Sequence, residues 1–232
     1  MDAVLALTRR PDAVIVTGDL VTDPGWREYD RVRELLGPLP MPVYVLAGNH
    51  DDRDALREYF VLSEGSTGAA GEPLRYSARI GDVRLVVCDT TIPGREEGRF
   101  DLERRHWLAA ELAAEPETPT IVALHHPPVL TAMPAFDEIC LPETDRLALG
   151  DLLATCPHVI RVIAGHIHRA FFETIAGVGV VVCPSTYLQA PLEIGTTEIY
   201  LVREPPAFGV HVTVNGGLVS HIQPIPPARI RA

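Results

Sequence analysis

A chain of 232 residues is long enough for one sizeable buried core, and 47% hydrophobic with 22% charged residues excludes a disordered polymer. Its 20 basic side chains are all arginine and face 31 acidic ones, a formal charge of −11 that supplies no basic field for polymeric nucleic acid or an anionic membrane. No apolar run approaches the ~20 residues of a bilayer span, and the start MDAVLALTRRPDA lacks the pattern of a signal peptide, so the expectation is a soluble cytoplasmic protein without a membrane partner.

Taken in chain order, a helix over about Asp2 to Arg10 comes first. Short β-branched runs then alternate with helical stretches. Ala13 to Thr17, Val43 to Ala47, Leu85 to Cys88, Ile121 to Leu124 and Val159 to Ala164 read as strands, and their near-continuous apolar character suits strands covered on both faces. Gly25 to Leu36, Arg53 to Phe60, Leu102 to Ala114 and Thr144 to Ala154 read as helices. Asp23 before Pro24 has the look of a helix cap, as does Asp52 before Arg53. Beyond residue 169 the pattern turns to hairpins: Phe171 to Ala176 with Val178 to Cys183, a strand over Thr197 to Val202, and an alternating run from Phe208 to Val214 into the turn dipeptide Asn215-Gly216. One α/β domain over residues 1–222 follows, with a Pro-rich extended tail over 223–232. Cys88, Cys140, Cys156 and Cys183 show no paired spacing and read as free thiols.

Four of the apolar strands run into polar clusters: Gly18-Asp19, Gly48-Asn49-His50-Asp51, His125-His126-Pro127-Pro128 and Gly165-His166-Ile167-His168. Ligands of open α/β sheets gather at the carboxyl ends of strands, so the four clusters are expected on one rim. Carboxylate, amide oxygen and imidazole together form a ligand set for divalent metals. Glycines before Asp19, Asn49 and His166 suit sharp turns that aim a side chain inward. His126 stays open between a substrate contact and a structural hydrogen bond, while His106, His158, His211 and His221 fall away from the rim. The apolar segment Val129 to Leu141 is either a wall of the pocket or the contact of a homodimer.

In this order, each at a strand end, the clusters resemble the calcineurin-like metallophosphoesterases, and within them the bacterial cyclic-nucleotide and glycerophosphodiester phosphodiesterases. The resemblance implies a layered αββα-type sandwich of mixed sheets flanked by helices. It also implies two divalent ions, of manganese, iron, zinc or cobalt. Asp19 would bridge them, Asn49, His125 and His166 would complete the second site, and His168 would bind the first. His50 and Asp51 would be the catalytic pair, His50 meeting a substrate oxygen or the leaving group and Asp51 orienting it, with His126 beside the substrate. The activity implied is hydrolysis of small phosphodiesters by a metal-bound hydroxide. A phosphomonoesterase or pyrophosphatase on the same site is the alternative within the enzyme class. A binding protein that has lost one metal site is the alternative outside it.

One piece of the family pattern has no counterpart. The family opens with a strand ending in D-x-H, yet His50 is the first histidine here and the first strand is missing. The reading is therefore of a chain begun too late or cut short by roughly 25–35 residues. If these residues are the whole protein, the first metal keeps only Asp19 and His168, and weak occupancy and poor activity are expected.

Overall fold

The computed structural model describes residues 1–60 and 69–225. Two parallel three-residue strands, β1 (Val14–Val16) and β2 (Val43–Val45), pair in register from Val14 opposite Val43. The helix α2 (Trp26–Leu36) connects them, and α3 (Arg53–Tyr59) follows. The principal sheet holds β3 (Tyr76–Ile80), β4 (Val83–Val87), β5 (Thr120–Ala123), β6 (Val159–Ala164), β7 (Phe171–Ile175) and β8 (Val178–Val182), in the order β3-β4-β5-β6-β8-β7. Its four central strands run parallel and its two edges antiparallel. A short α1 (Asp2–Leu5) precedes the first strand, and α4 (Leu102–Ala113), α5 (Pro134–Asp137) and α6 (Glu143–Ala154) lie along the principal sheet's half of the chain.

Strand alternation sorts these elements into layers. Val86, Cys88, Val122, Leu124, Val162, Val180 and Val182 form one core with Leu108 and Leu112 of α4 and Leu149 and Leu153 of α6. On the opposite face of the same strands, Leu85, Val87, Ile121, Ala123 and Ile163 meet Ile15, Tyr44 and Leu46 from the small sheet. The small sheet's far side, with Val45 and Ala47, packs on Tyr29 of α2 and Leu56 of α3. Helix, sheet, sheet, helix is therefore the arrangement, as expected. The last hairpin, β9 (Ala207–Val214) and β10 (Gly217–Pro224), turns at Asn215 and Gly216, both at positive φ, and brings Leu218 onto the principal sheet's inner face beside the small sheet.

Several elements depart from the sequence reading. No residue of α1 is buried, and without an apolar face to anchor it the helix stops at Leu5 rather than reaching Arg10. Asp23 does not cap α2; that helix starts from Gly25 with no side-chain cap. Asp52 does cap α3, accepting from the N–H groups of Asp54 and Ala55. The strand expected over Thr197 to Val202 is reduced to one bridge between Gln189 and Val202, because Ile199, Tyr200 and Leu201 lie exposed with no sheet to take an apolar face. Edge strand β3 has no counterpart in the reading. Gln223 and Pro224 belong to β10, so the tail boundary falls inside that strand; the rest of the expected tail lies outside the described residues. All four cysteines are free, as expected. Among the described residues no helix is long and apolar enough to cross a membrane.

Candidate metal centre

Both sheets point the carboxyl ends of their parallel strands at one rim, and there their loops interlock. A Cβ on Gly18 would collide with the His125 ring and lie 2.8 Å from the backbone nitrogen of Gly48, while one on Gly48 would run into the Asp19 carboxylate. Glycine is required at both positions for the loops to approach so closely. Asp19, His166 and His168 all hold left-handed φ values of 53°, 70° and 56°, a conformation that non-glycine residues keep only where surrounding contacts enforce it.

Those contacts orient the ring nitrogens. A carbonyl oxygen can only accept, so the nitrogen facing it carries the proton. His125 Nδ1 donates to Thr17 O at 2.7 Å, His166 Nε2 to Ile139 O at 3.0 Å and His168 Nδ1 to Leu188 O at 3.1 Å. In the neutral form of each ring the lone pair therefore sits on its other nitrogen. His125 Nε2 lies 3.1 Å from Asn49 Oδ1, 3.3 Å from Asp19 Oδ2 and 3.2 Å from His166 Nδ1. Three further polar atoms thus gather within 3.3 Å of His125 Nε2. Such a cluster fits a cation, and its carboxylate, amide and imidazole donors match the chemistry of a divalent metal.

The electrostatics carry the same demand. Burial works to raise the Asp19 carboxyl, but the neighbouring His125 ring, the N–H of His50 and His166 outweigh it and hold Asp19 well below the ordinary range. His125 moves the other way: burial lowers it, yet Asp19 beside it leaves it raised. His166, buried and next to His125, is pushed down to about 3 and stays neutral, the form that ligates metal. His168 is lowered chiefly by burial.

Asp19, Asn49, His125 and His166 are thus brought together, while the His168 ring is held by Leu188 O. Two other expectations change. His126 is fully buried with both ring nitrogens engaged, Nε2 donating to Glu96 O at 3.0 Å and Nδ1 accepting from the Thr90 hydroxyl at 2.8 Å, so it has no group to offer a substrate. Its ring packs 4.9 Å from His125 and 4.5 Å from His166, centroid to centroid, and braces both. Asp51 does not orient His50. Its carboxylate turns away to the N–H groups of Leu20 and Gly48 and the hydroxyl of Tyr29. His50 is oriented instead by Thr22 O, which accepts from Nδ1 at 3.2 Å, and by Asp19 Oδ1, which accepts from its backbone N–H at 3.1 Å. That leaves the exposed Nε2 of His50 free at the rim.

The segment Val129 to Leu141 faces inward, with Val129, Met133, Phe136, Cys140 and Leu141 in the main core. Its contribution to the centre is the Ile139 carbonyl behind His166. Sequence reasoning missed this group along with the Thr17, Thr22 and Leu188 carbonyls, which no side-chain pattern reveals. It also missed Tyr29, which reads as an ordinary apolar position of α2, and Thr90, whose only signal was its place just after β4.

Residues 2–170 match the calcineurin-like phosphoesterase family. The chain belongs to that family. It is 30% identical over 215 residues to the glycerophosphodiester phosphodiesterase GpdQ of Enterobacter lignolyticus, a match covering 93% of this chain and 77% of that protein. It is 36% identical over 181 residues to a cAMP/cGMP dual specificity phosphodiesterase of Mycobacterium tuberculosis, covering 76% of this chain and 55% of that protein. Among solved structures, a dimetal phosphatase from Danio rerio aligns with a TM-score of 0.61 at 20% identity over 79% of this chain and 76% of that one, a likeness of fold.

Proposed function

We propose that the chain is a metal-dependent phosphodiesterase acting on small diesters, either cyclic nucleotides or glycerophosphodiesters. The observation that carries the reading is the gathering of Asp19 Oδ2, Asn49 Oδ1 and His166 Nδ1 around His125 Nε2 on the rim of a calcineurin-like phosphoesterase fold. The relatives named as phosphodiesterases for these two substrate classes support it. Asp19, Asn49, His125 and His166 would hold one divalent ion, and Asp19 with His168 would face a second. When bound, such ions make water a stronger nucleophile near neutrality and neutralise charge on the phosphoryl oxygens.

The chain's own groups do the rest. Three histidines kept in fixed tautomers by backbone carbonyls present their lone pairs without rearrangement, so the site is organised before substrate arrives. His50, held by Thr22 O through Nδ1, carries a proton on Nε2 when charged and delivers it to the departing alkoxide as the P–O bond breaks, while water adds to phosphorus. The exposure of His50 leaves room for a leaving group to reach it. A chain with a formal charge of −11 favours small substrates over polyanions.

The test is a substrate panel with the protein loaded with Mn²⁺ or Co²⁺: 3′,5′-cAMP, glycerophosphocholine and p-nitrophenyl phosphate. At least one diester is expected to turn over tenfold or more faster than the monoester. Preferential release of phosphate from the monoester would replace the reading with a phosphomonoesterase. Stoichiometric metal binding without turnover of any ester would replace it with a binding protein.

A further inference from the structure

We infer that the hydroxyl of Tyr29 is a positioning group for the metal centre: by holding the Asp51 carboxylate it fixes the loop that carries Asp19 against the loop that carries Asn49 and His50. The strands beneath these loops are only three residues each, and β1 is partly exposed along its whole length, so pairing alone does little to set the loops' separation. The Asp51 carboxylate joins them. Its Oδ1 accepts from the N–H of Leu20 at 3.1 Å and its Oδ2 from the N–H of Gly48 at 2.9 Å. Leu20 follows Asp19 and Gly48 precedes Asn49, so each bond falls one residue from a metal-binding side chain.

Tyr29 secures this junction from behind. The side chain is fully buried in the layer between the small sheet and its helices, with its ring 5.6 Å from that of Tyr59. A buried hydroxyl must find partners. This one donates to Asp51 Oδ1 at 3.4 Å and accepts from the N–H of Asp52 at 2.7 Å, where Asp52 is the cap of α3. One oxygen on α2 therefore ties together the start of α3 and the carboxylate that spans both loops. Burial and the Asp51 charge push the phenol further above its ordinary range, which keeps the hydroxyl a donor at any working pH. Without Tyr29, Asp51 keeps the N–H groups of Leu20 and Gly48, and loses its tie to α2 and to the start of α3.

The kinetic part of the test rests on the phosphodiesterase reading; the metal-binding part does not. Tyr29→Phe removes one oxygen and leaves the ring in the core. The expected result is about tenfold weaker Co²⁺ binding in a titration of the metal-free protein, the scale on which groups behind metal ligands act. Diester turnover per folded, metal-loaded molecule is expected to fall by about tenfold in kcat with KM within twofold. Tyr59→Phe alters the same ring pair without touching Asp51 and should match the wild type in both measurements. A Tyr29→Phe protein with a lowered melting temperature but wild-type Co²⁺ affinity and kcat would overturn the proposal and make Tyr29 a core residue only. Asp51→Asn breaks the junction from its other side, is expected to weaken Co²⁺ binding similarly, and decides the matter if Tyr29→Phe does not fold. A wild-type protein that binds Co²⁺ yet hydrolyses no diester removes the proposed function and leaves the affinity comparison to judge the junction.

Discussion

The six-stranded sheet and the small sheet laid over it supply the same rim by different means. In the large sheet, β4 and β5 are buried throughout, and helices seal the far face. Its contributions to the rim, His125 and His166, hang from backbone carbonyls of neighbouring loops, and His125 is almost wholly buried. The small sheet has two short strands, and its contributions are more open: Asp19 and Asn49 are partly exposed and His50 is exposed. There the alignment comes from carboxylates bonding to backbone N–H groups. The heavier half thus offers the imidazoles of the buried His125 and of His166, while the lighter half offers the Asp19 carboxylate and the exposed His50. Rigidity and access are divided between two layers of one fold.

The largest effect should come from removing the one negative charge in the cluster of lone pairs. Asp19→Asn keeps the shape but leaves only neutral donors around the cation. Metal content measured on the purified protein should fall below stoichiometric, and diester hydrolysis should drop by about 10³-fold, or ~4 kcal/mol of transition-state stabilisation. Full metal content in that variant would mean that the imidazoles of the large sheet suffice. His50→Ala should separate binding from chemistry within the lighter half. Turnover is expected to fall by about 10² or more, the usual share of a positioned proton donor, with metal content intact. Loss of metal would make His50 a ligand.

How far the sequence reveals these two halves follows from what their residues do. Asp, Asn and His at strand ends carry a residue signature, so Asp19, Asn49, His125, His166 and His168 stand out in the sequence as candidate ligands. The helix-sheet-sheet-helix layering was legible for the same reason that buried parallel strands are: continuous apolar runs at regular intervals. Backbone carbonyls carry no residue signature, so the partners that fix the histidine tautomers were invisible. The family resemblance implied that Asp51 orients His50, yet the turn sends the two side chains to different partners. The run from Thr197 to Val202 has the right composition for a strand but no neighbour to pair with, and pairing is a property of the fold and not of the segment. The sequence left His126 open between a substrate contact and a structural hydrogen bond, and burial with two occupied ring nitrogens makes it a brace.

Stability offers a second way to sharpen the contrast between the layers. Leu108→Ala empties a fully buried position of α4 against the large sheet and should cost about 2–5 kcal/mol in denaturant unfolding. Val16→Ala, in a half-buried strand of the small sheet, should cost about 1 kcal/mol. Equal losses would mean that the small sheet is as deeply integrated as the large one, and that the division of labour drawn above is a matter of side chains alone.

The smallest effect concerns the other element laid over the large sheet, the β9–β10 hairpin. His211 lies against this layer with its Nδ1 bonded to the Ser220 hydroxyl at 2.8 Å. Burial, with the Arg161 cation next in weight, pushes its pKa down from 6.5 to about 4. A histidine lowered in the folded state binds protons less well there than in the unfolded chain, so acid favours unfolding. This group should therefore leave stability untouched above about pH 6.5, reduce it progressively as the pH falls from there towards 4, and add no further loss below. His211→Gln keeps a hydrogen-bonding side chain that does not titrate, and its melting temperature should fall less steeply than the wild type's across that window. Parallel curves would mean that the hairpin opens enough in solution to give His211 an ordinary aqueous environment, which would make it a looser cover than the small sheet beside it.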